Sequence, residues 1–193
     1  MSRQADHPIA AQFLERWSPR ALSPAVSEAE LLSCLEAARW APSASNTQPW
    51  RYVLTRHGEP GFAAVLGCLL PFNRDWAAQA GALIVACSLL ESVATAQHPS
   101  RPLPGSAFDA GAAWMSLALQ AHDLGLVAHA MGGFEREALA QAVALPPSAR
   151  IDCVIAVGRA GDPAQLPEAL REREKPNDRR PLAEWLMRDR WGD

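Results

Sequence analysis

The stretch that most restricts how this chain can fold is "GALIVACSL", residues 81–89, inside an apolar run from Ala80 to Leu90. Odd and even positions are equally apolar. A half-exposed strand would alternate, so this reads as a strand buried on both faces, central in a sheet covered on both sides. The run is too short to cross a bilayer and meets Glu91. Whatever else the chain does, it must supply two layers of helices to cover that strand.

The remaining pattern supplies them. "SEAELLSCLEAARW" opens with Ser27 and Glu30, the spacing of a capping box, with Val26 and Leu31 placed as a hydrophobic staple. Leu31, Leu32, Leu35 and Ala38 form its expected apolar face. Before it, "HPIAAQFLERW" has Ile9, Phe13 and Trp17 at helical spacing, Pro19 ends the helix, and "ALSPAV" reads as a connector. "WRYVLTR" (50–56) and "IDCVIAVGRAGDP" read as two further strands, the second leaving at Gly158. Residues 58–80 are helical in patches broken by Pro71. "FDAGAAWMSLALQAHDLGL" is a long Ala-rich helix with Gly125 at its end. "VAHAMGGF" is extended and then turns, and "EREALAQAVAL" is a short helix. Residues 97–107, rich in Pro, Ser and Gly, read as a loop. From Pro167 the tail mixes both charges and ends in a short amphipathic segment. The order of helices and strands predicts a three-layer α/β or α+β arrangement, as one domain over 1–193.

Composition narrows the partners. The net charge is -3, so no bulk basic field draws the chain to nucleic acid or an anionic membrane. The N-terminus carries Asp6 and His7 where a signal peptide would be apolar. The four cysteines are scattered among apolar neighbours, without a C-x-x-C pair, and read as small buried hydrophobes. The five histidines include no H-x-x-x-H pair, so no metal site is expected. A reducing, cytoplasmic setting follows as the expectation.

Five short segments carry chemistry. In "RWSPR", Arg16, Ser18 and Arg20 can converge on a phosphate, though two arginines at a helix end are equally at home in solvent. "APSASNTQPW" (41–50) offers Ser43, Ser45, Asn46 and Gln48 between two prolines. A helix stop explains Pro42 but not the whole polar run. Asn73 in "NRDW" suits either a ring edge showing a donor beside an acceptor, or a helix N-cap. Gly132 and Gly133 allow close backbone approach to a ligand, or an ordinary turn. Arg179 and Arg180 form a late basic pair that means little alone. No Ser-His-Asp or Cys-His nucleophile is evident.

In order and spacing these pieces are more specific than any one of them. "ERWSPR", "EAARWAPSASNTQPWRYVL", "NRDWAAQAGALIVACSL", "DAGAAWMSLALQAHDLGLVAHAMGGF", "VIAVGRAGDP" and "RRPLAEWL" together resemble the nitroreductase family of FMN-dependent oxidoreductases, over nearly the whole chain. The resemblance implies an α+β fold with a mixed sheet between helices, and a homodimer with the long helix at its interface. Two FMN sites would lie between subunits, and the tail from about 167 would wrap onto the partner. It implies that Arg16, Trp17, Ser18 and Arg20 hold the FMN phosphate, joined by Arg179 and Arg180. Pro42, Ser43, Ala44 and Asn46 would cover the flavin held by the other subunit. Asn73 would meet the pyrimidine edge of the ring, and Gly132 and Gly133 would lie near N5. The implied reaction carries hydride from NAD(P)H through the flavin to a small acceptor such as a nitroaromatic or quinone. No side chain is assigned a catalytic role, because the flavin carries the chemistry.

The chain departs from some members of that family. Trp17 stands where some carry a second basic residue, Gly132 where some carry an acid, and Trp76 where some carry a lysine. The connector at 97–107 is too short for the extra helices of longer members. A minimal enzyme with an open pocket is therefore expected, and His129 is expected to be packed or at the surface rather than a proton donor. Relatives with other flavin chemistry (fragmentation, dehalogenation, dehydrogenation), a non-catalytic flavin binder and a helical interaction protein are the alternatives.

Overall fold

The computed structural model describes residues 3–96 and 99–191. Its helices are α1 (Ala11–Glu15), α2 (Glu28–Arg39), α3 (Pro60–Gly67), α4 (Pro71–Ala77), α5 (Ser106–Asp123), α6 (Arg136–Ala142) and α7 (Glu168–Arg171). Its strands are β1 (Leu22–Ser23), β2 (Trp50–Arg56), β3 (Ala82–Leu89), β4 (Val127–Met131) and β5 (Ala149–Ala160).

The apolar run is the middle of the sheet. β3 pairs with β2 on one side and with β5 on the other. Its alternate residues enter different cores. Ala82, Ile84 and Ala86 join Leu31, Cys34, Ala38, Ala113, Leu117 and Ala121, from α2 and α5. Leu83, Val85 and Cys87 join Phe62, Val65, Trp76 and Leu139, from α3, α4 and α6. The two helical layers that the strand required are both present.

Two strands go beyond the three read from the sequence. The "ALSPAV" connector contains β1, whose Leu22 and Ser23 pair with Ala160 and Arg159 of β5. The extended "VAHAM" segment is β4, paired with β5 from Val127↔Gly158 to Met131↔Val154. β5 consequently runs to Ala160 rather than leaving at Gly158. A Cβ at Gly158 would sit 2.7 Å from the Ser23 carbonyl oxygen, so glycine lets β1 pass close by.

The resemblance implied a mixed sheet, but all four pairings among the described strands are antiparallel. β3 and β4 do run the same way, joined by the long α5 connection. β5 inserts between them and converts what would be one parallel pair into two antiparallel ones.

α2 has the predicted capping box: Ser27 accepts from the Glu30 N–H, and Glu30 reaches back to the Ser27 N–H at 2.8 Å. Its buried face uses Leu31, Cys34 and Ala38, while Leu32 is 52% exposed, a correction of one residue in four. Gly125 follows α5 with φ +68, the left-handed exit expected of it. α1 is shorter than its pattern suggests. It has no side-chain N-cap, and Ile9 and Phe13 stay half exposed, so little packing stabilises further turns. Gln97 and His98, at the start of the predicted loop, lie outside the described residues. Residues 99–105 form no helix or strand beyond an isolated bridge between Glu91 and Pro102. In the tail, the amphipathic segment is one 3-10 turn, Leu182–Glu184.

Candidate functional site

The segment between α1 and β1 cannot be helical, because Pro19 lacks an N–H and Arg16 is already extended (φ -61, ψ 127). It therefore lays Arg16, Trp17, Ser18 and Arg20 along one wall of a cleft of about 220 Å³. The tail supplies the facing wall with Arg173, Lys175, Asn177 and Arg179, and Arg3 and His129 complete the lining. Six cationic side chains thus converge from three parts of the chain: Arg3, Arg16, Arg20, Arg173, Lys175 and Arg179.

The cleft is held by hydrogen bonds as well as by shape. Arg3 donates to the carbonyl oxygens of Leu14 (2.6 Å), Arg16 (2.9 Å) and Asn177 (2.9 Å), tying α1 to the tail. Arg16 Nη1 lies 3.3 Å from Ser18 Oγ. Glu174 has a side chain only 3% exposed, and its Oε1 accepts from the N–H groups of Arg20 (2.7 Å) and Ala21 (2.8 Å). Its Oε2 and the Nε of Arg20 are buried without a hydrogen-bond partner. The guanidinium and carboxylate stand 4.0 Å apart.

The field in the cleft is positive. Burial, then Arg3 and Arg179, lower the pKa of Arg16. Burial, then Arg173, lower that of Arg20, with Glu174 acting in the opposite sense. Arginines that destabilise one another's charge at this spacing are stabilised together by an anion. Forked guanidinium donors and a short hydroxyl match a phosphate group in chemistry.

A second cluster adjoins the first. Phe72 of α4 lies under the Arg20 guanidinium at 5.9 Å, and the next residue is Asn73. Asn73 Nδ2 donates to the Gly133 carbonyl at 3.0 Å, an oxygen that also accepts from the Leu70 N–H at 3.1 Å. A Cβ on Gly133 would sit 2.7 Å from Asn73 Nδ2, so a larger residue there would displace the Asn73 amide from its present place. Gly132 borders open space. Trp76, one turn further along α4, is 1% exposed and stacks on His129 at 4.6 Å. The tryptophan that replaces a lysine of some relatives is thus a core residue. His129 is packed, as expected.

The 41–50 loop stands apart from the cleft lining. After Pro42 and Ser43, a 3-10 turn covers Ala44–Asn46. Ser45, Asn46 and Gln48 all have positive φ (52, 53 and 47). Each such non-glycine residue costs roughly 1–2 kcal/mol, so a specific set of contacts must hold the loop. Asp109, buried in the first turn of α5, accepts from the Ala44 N–H at 3.2 Å, and Ser43 Oγ accepts from the Gln48 N–H at 3.0 Å. Thr47 Oγ1 is buried without a partner.

The structure therefore brings Arg16, Trp17, Ser18, Arg20 and Arg179 together, with Asn73 and Gly133 beside them. It does not bring Arg180 with them: that residue lines a neighbouring groove with Ile9, Phe13 and Trp185. Pro42, Ser43, Ala44 and Asn46 lie outside the cleft lining of their own chain. Sequence reasoning missed Arg3, Arg173, Glu174, Lys175 and Asn177. The dense charge of "REREKPNDRR" was the available signal, but a solvated run looks the same. Among the described residues, no group of three His, Cys, Asp or Glu could hold a metal ion, and no helix is long and apolar enough to cross a membrane.

The fold is α+β, and its cationic cleft lies beside a polar amide and a glycine turn. The chain belongs to the Nitroreductase family, which it matches over residues 14–61 and 64–159. It is 34% identical over 152 residues to an uncharacterised 15.4 kDa protein of the ask 5′ region of Mycolicibacterium smegmatis, covering 74% of this chain and 98% of that one. Among solved structures, an oxidoreductase containing FMN matches with a TM-score of 0.93 and 38% identity, over 98% of this chain and 96% of the other. A Desulfovibrio desulfuricans protein in complex with FMN matches with a TM-score of 0.74 and 26% identity, over 97% of this chain and 99% of the other.

Proposed function

We propose that this protein is an FMN-dependent oxidoreductase that takes hydride from NAD(P)H and passes it to a small acceptor such as a nitroaromatic or a quinone. The observation that carries this reading is the cleft of six cations, whose guanidiniums are partly desolvated and mutually repelling. Arg16, Ser18, Arg20 and Arg179 would grip the phosphate. Asn73 would meet the polar edge of the ring, with Gly132 and Gly133 giving close backbone near its reactive atom. When bound, FMN supplies the two-electron carrier that no side chain here provides. The chain's own residues bind and orient it.

The enzyme would act in the cytoplasm as a single-domain homodimer with α5 at the interface. The loop of Pro42, Ser43, Ala44 and Asn46 would cover the partner's flavin, and the tail from about 167 would reach the partner. The strained, polar loop that lies outside its own chain's cleft supports this arrangement.

Purified protein should be yellow and should bleach on anaerobic mixing with NADH or NADPH. Colour should return when a nitroaromatic or quinone is added. A protein that takes up no FMN would sink the proposal, and one that binds FMN but never bleaches would leave a flavin binder without this activity.

A further inference from the structure

The cleft holds a histidine to which neither the phosphate grip nor the ring contacts give a task. His129 lines it from β4, between the arginine segment and α4. Two contacts fix its ring. The ring lies against Trp76, with centroids 4.6 Å apart and the planes tilted by 36°, and Nδ1 lies 2.9 Å from the carbonyl oxygen of Pro19. A carbonyl oxygen can only accept, so Nδ1 carries the hydrogen in the neutral ring. Nε2 is then the nitrogen with a lone pair, in a ring that borders the cleft.

The surroundings set its charge. Arg16 and Arg20 face it from the segment between α1 and β1, and Glu174 from the tail, while Trp76 of α4 adds no charge. Arg3, Arg173, Lys175 and Arg179 share the same lining. Burial lowers the ring's pKa, and Arg20 and Arg16 lower it further; the bond to Pro19 and the charge of Glu174 oppose them. A dianion entering this cleft offsets the repulsion that Arg16 and Arg20 exert on a protonated ring.

We propose that His129 is a positioning residue of the anion cleft: it holds the Arg16–Arg20 segment through Nδ1 and takes up a proton at Nε2 when a phosphate monoester binds. The proton comes from solvent. The ring then carries two N–H groups, one kept on Pro19 and one offered to the phosphate. Binding should therefore tighten as pH falls through the interval between the raised pKa of the complex and the lowered pKa of the free protein. The proposal rests on the flavin reading for the identity of the ester, and on the cleft alone for the proton.

The test is the FMN dissociation constant of the holoprotein, from flavin fluorescence on dilution, between pH 8.5 and 6.5. Affinity should rise by about tenfold for each unit by which binding raises the ring's pKa. The ligand's own second ionisation, near pH 6, acts in the opposite direction and cannot mimic this. His129→Asn can still donate an amide N–H to Pro19 but cannot be protonated, so it should bind FMN with a flat or falling profile. His129→Gln, without that anchor, should bind more weakly at every pH. Calorimetry of the wild type in two buffers of different ionisation heat should show net proton uptake near pH 7. A wild-type affinity that is flat or falls on acidification, or an Asn variant that keeps the wild-type slope, would overturn the proposal. If the chain binds no FMN, the cofactor reading fails by itself. Sulfate, a dianion throughout this pH range, then serves as the probe, with the same rise on acidification expected and a flat profile again fatal.

Discussion

The basic cleft and the 42–48 loop are two polar constructions on this chain, and they close differently. The cleft is lined by residues of one chain. Its walls come from the segment before β1 and from the tail, and Arg3 and Glu174 tie the two together. The loop is held from below by Asp109 but spends three left-handed residues on a surface that meets nothing of its own cleft. In the proposed enzyme the cleft would receive the phosphate, and the strained loop, held from one side only, would meet the partner.

The largest effect that would break this contrast is on the cleft. Removing both inner guanidiniums, in Arg16→Ala with Arg20→Ala, should cost two charge-assisted contacts of about 1.5–3 kcal/mol each, and so weaken FMN binding by roughly a hundredfold or more. Flavin absorbance after desalting reads this directly. Retention of full colour would mean that the phosphate lies elsewhere.

Glu174→Ala comes next. It strands the N–H groups of Arg20 and Ala21, at about 1–3 kcal/mol each where water does not replace the carboxylate. At the lower bound of about 2 kcal/mol for the pair, a melting temperature lower by roughly 4–8 °C is expected, at about 2–4 °C per kcal/mol for a chain of this length. Flavin affinity should fall with it, because the tail wall loosens. Unchanged stability would show that the two walls are fastened by something other than this carboxylate.

Asn46→Ala sharpens the other side of the comparison. Asn tolerates the left-handed region better than Ala, and its amide would be lost from the flavin cover. About a fivefold loss of FMN affinity is expected, from one net hydrogen bond of about 1 kcal/mol. The loss should appear in a dimer, as measured by light scattering. A monomer that binds FMN normally would place the loop's partner elsewhere.

The smallest effect is a control. Ser27→Ala removes the cap of α2, far from both regions, at about 1 kcal/mol, or a fall of about 2–4 °C in melting temperature. Flavin affinity should not change. If it does, the helical layer and the cleft are coupled in a way that the contacts do not reveal.

Much of this was legible in the residues. The period of β3, the Ser27/Glu30 box, the Gly125 exit and the strand at Trp50–Arg56 all rest on local chemistry, where neighbours in sequence are neighbours in space. The order of the motifs also led to the right family. What was not legible lay in long-range contacts. β1 is two residues long and owes its existence to pairing with residues more than a hundred positions away. Glu174 looked like one acid in a charged run, and became a buried acceptor only when the tail folded back onto Arg20 and Ala21. Arg179 and Arg180 were indistinguishable in sequence, yet Arg179 enters the cleft and Arg180 does not, although both line the neighbouring groove.

By itself, then, the sequence determined that this chain must bury one strand on both faces, and therefore that helices must flank it. It also determined that a polar, proline-bounded loop must follow the α2 helix. Both follow from periodicity and from backbone restrictions that act within a few residues. The tertiary structure decided which charges meet. An arginine's reach is set by its side chain, but its partners are set by how the two ends of the chain return to the same edge of the sheet, and no local pattern encodes that return.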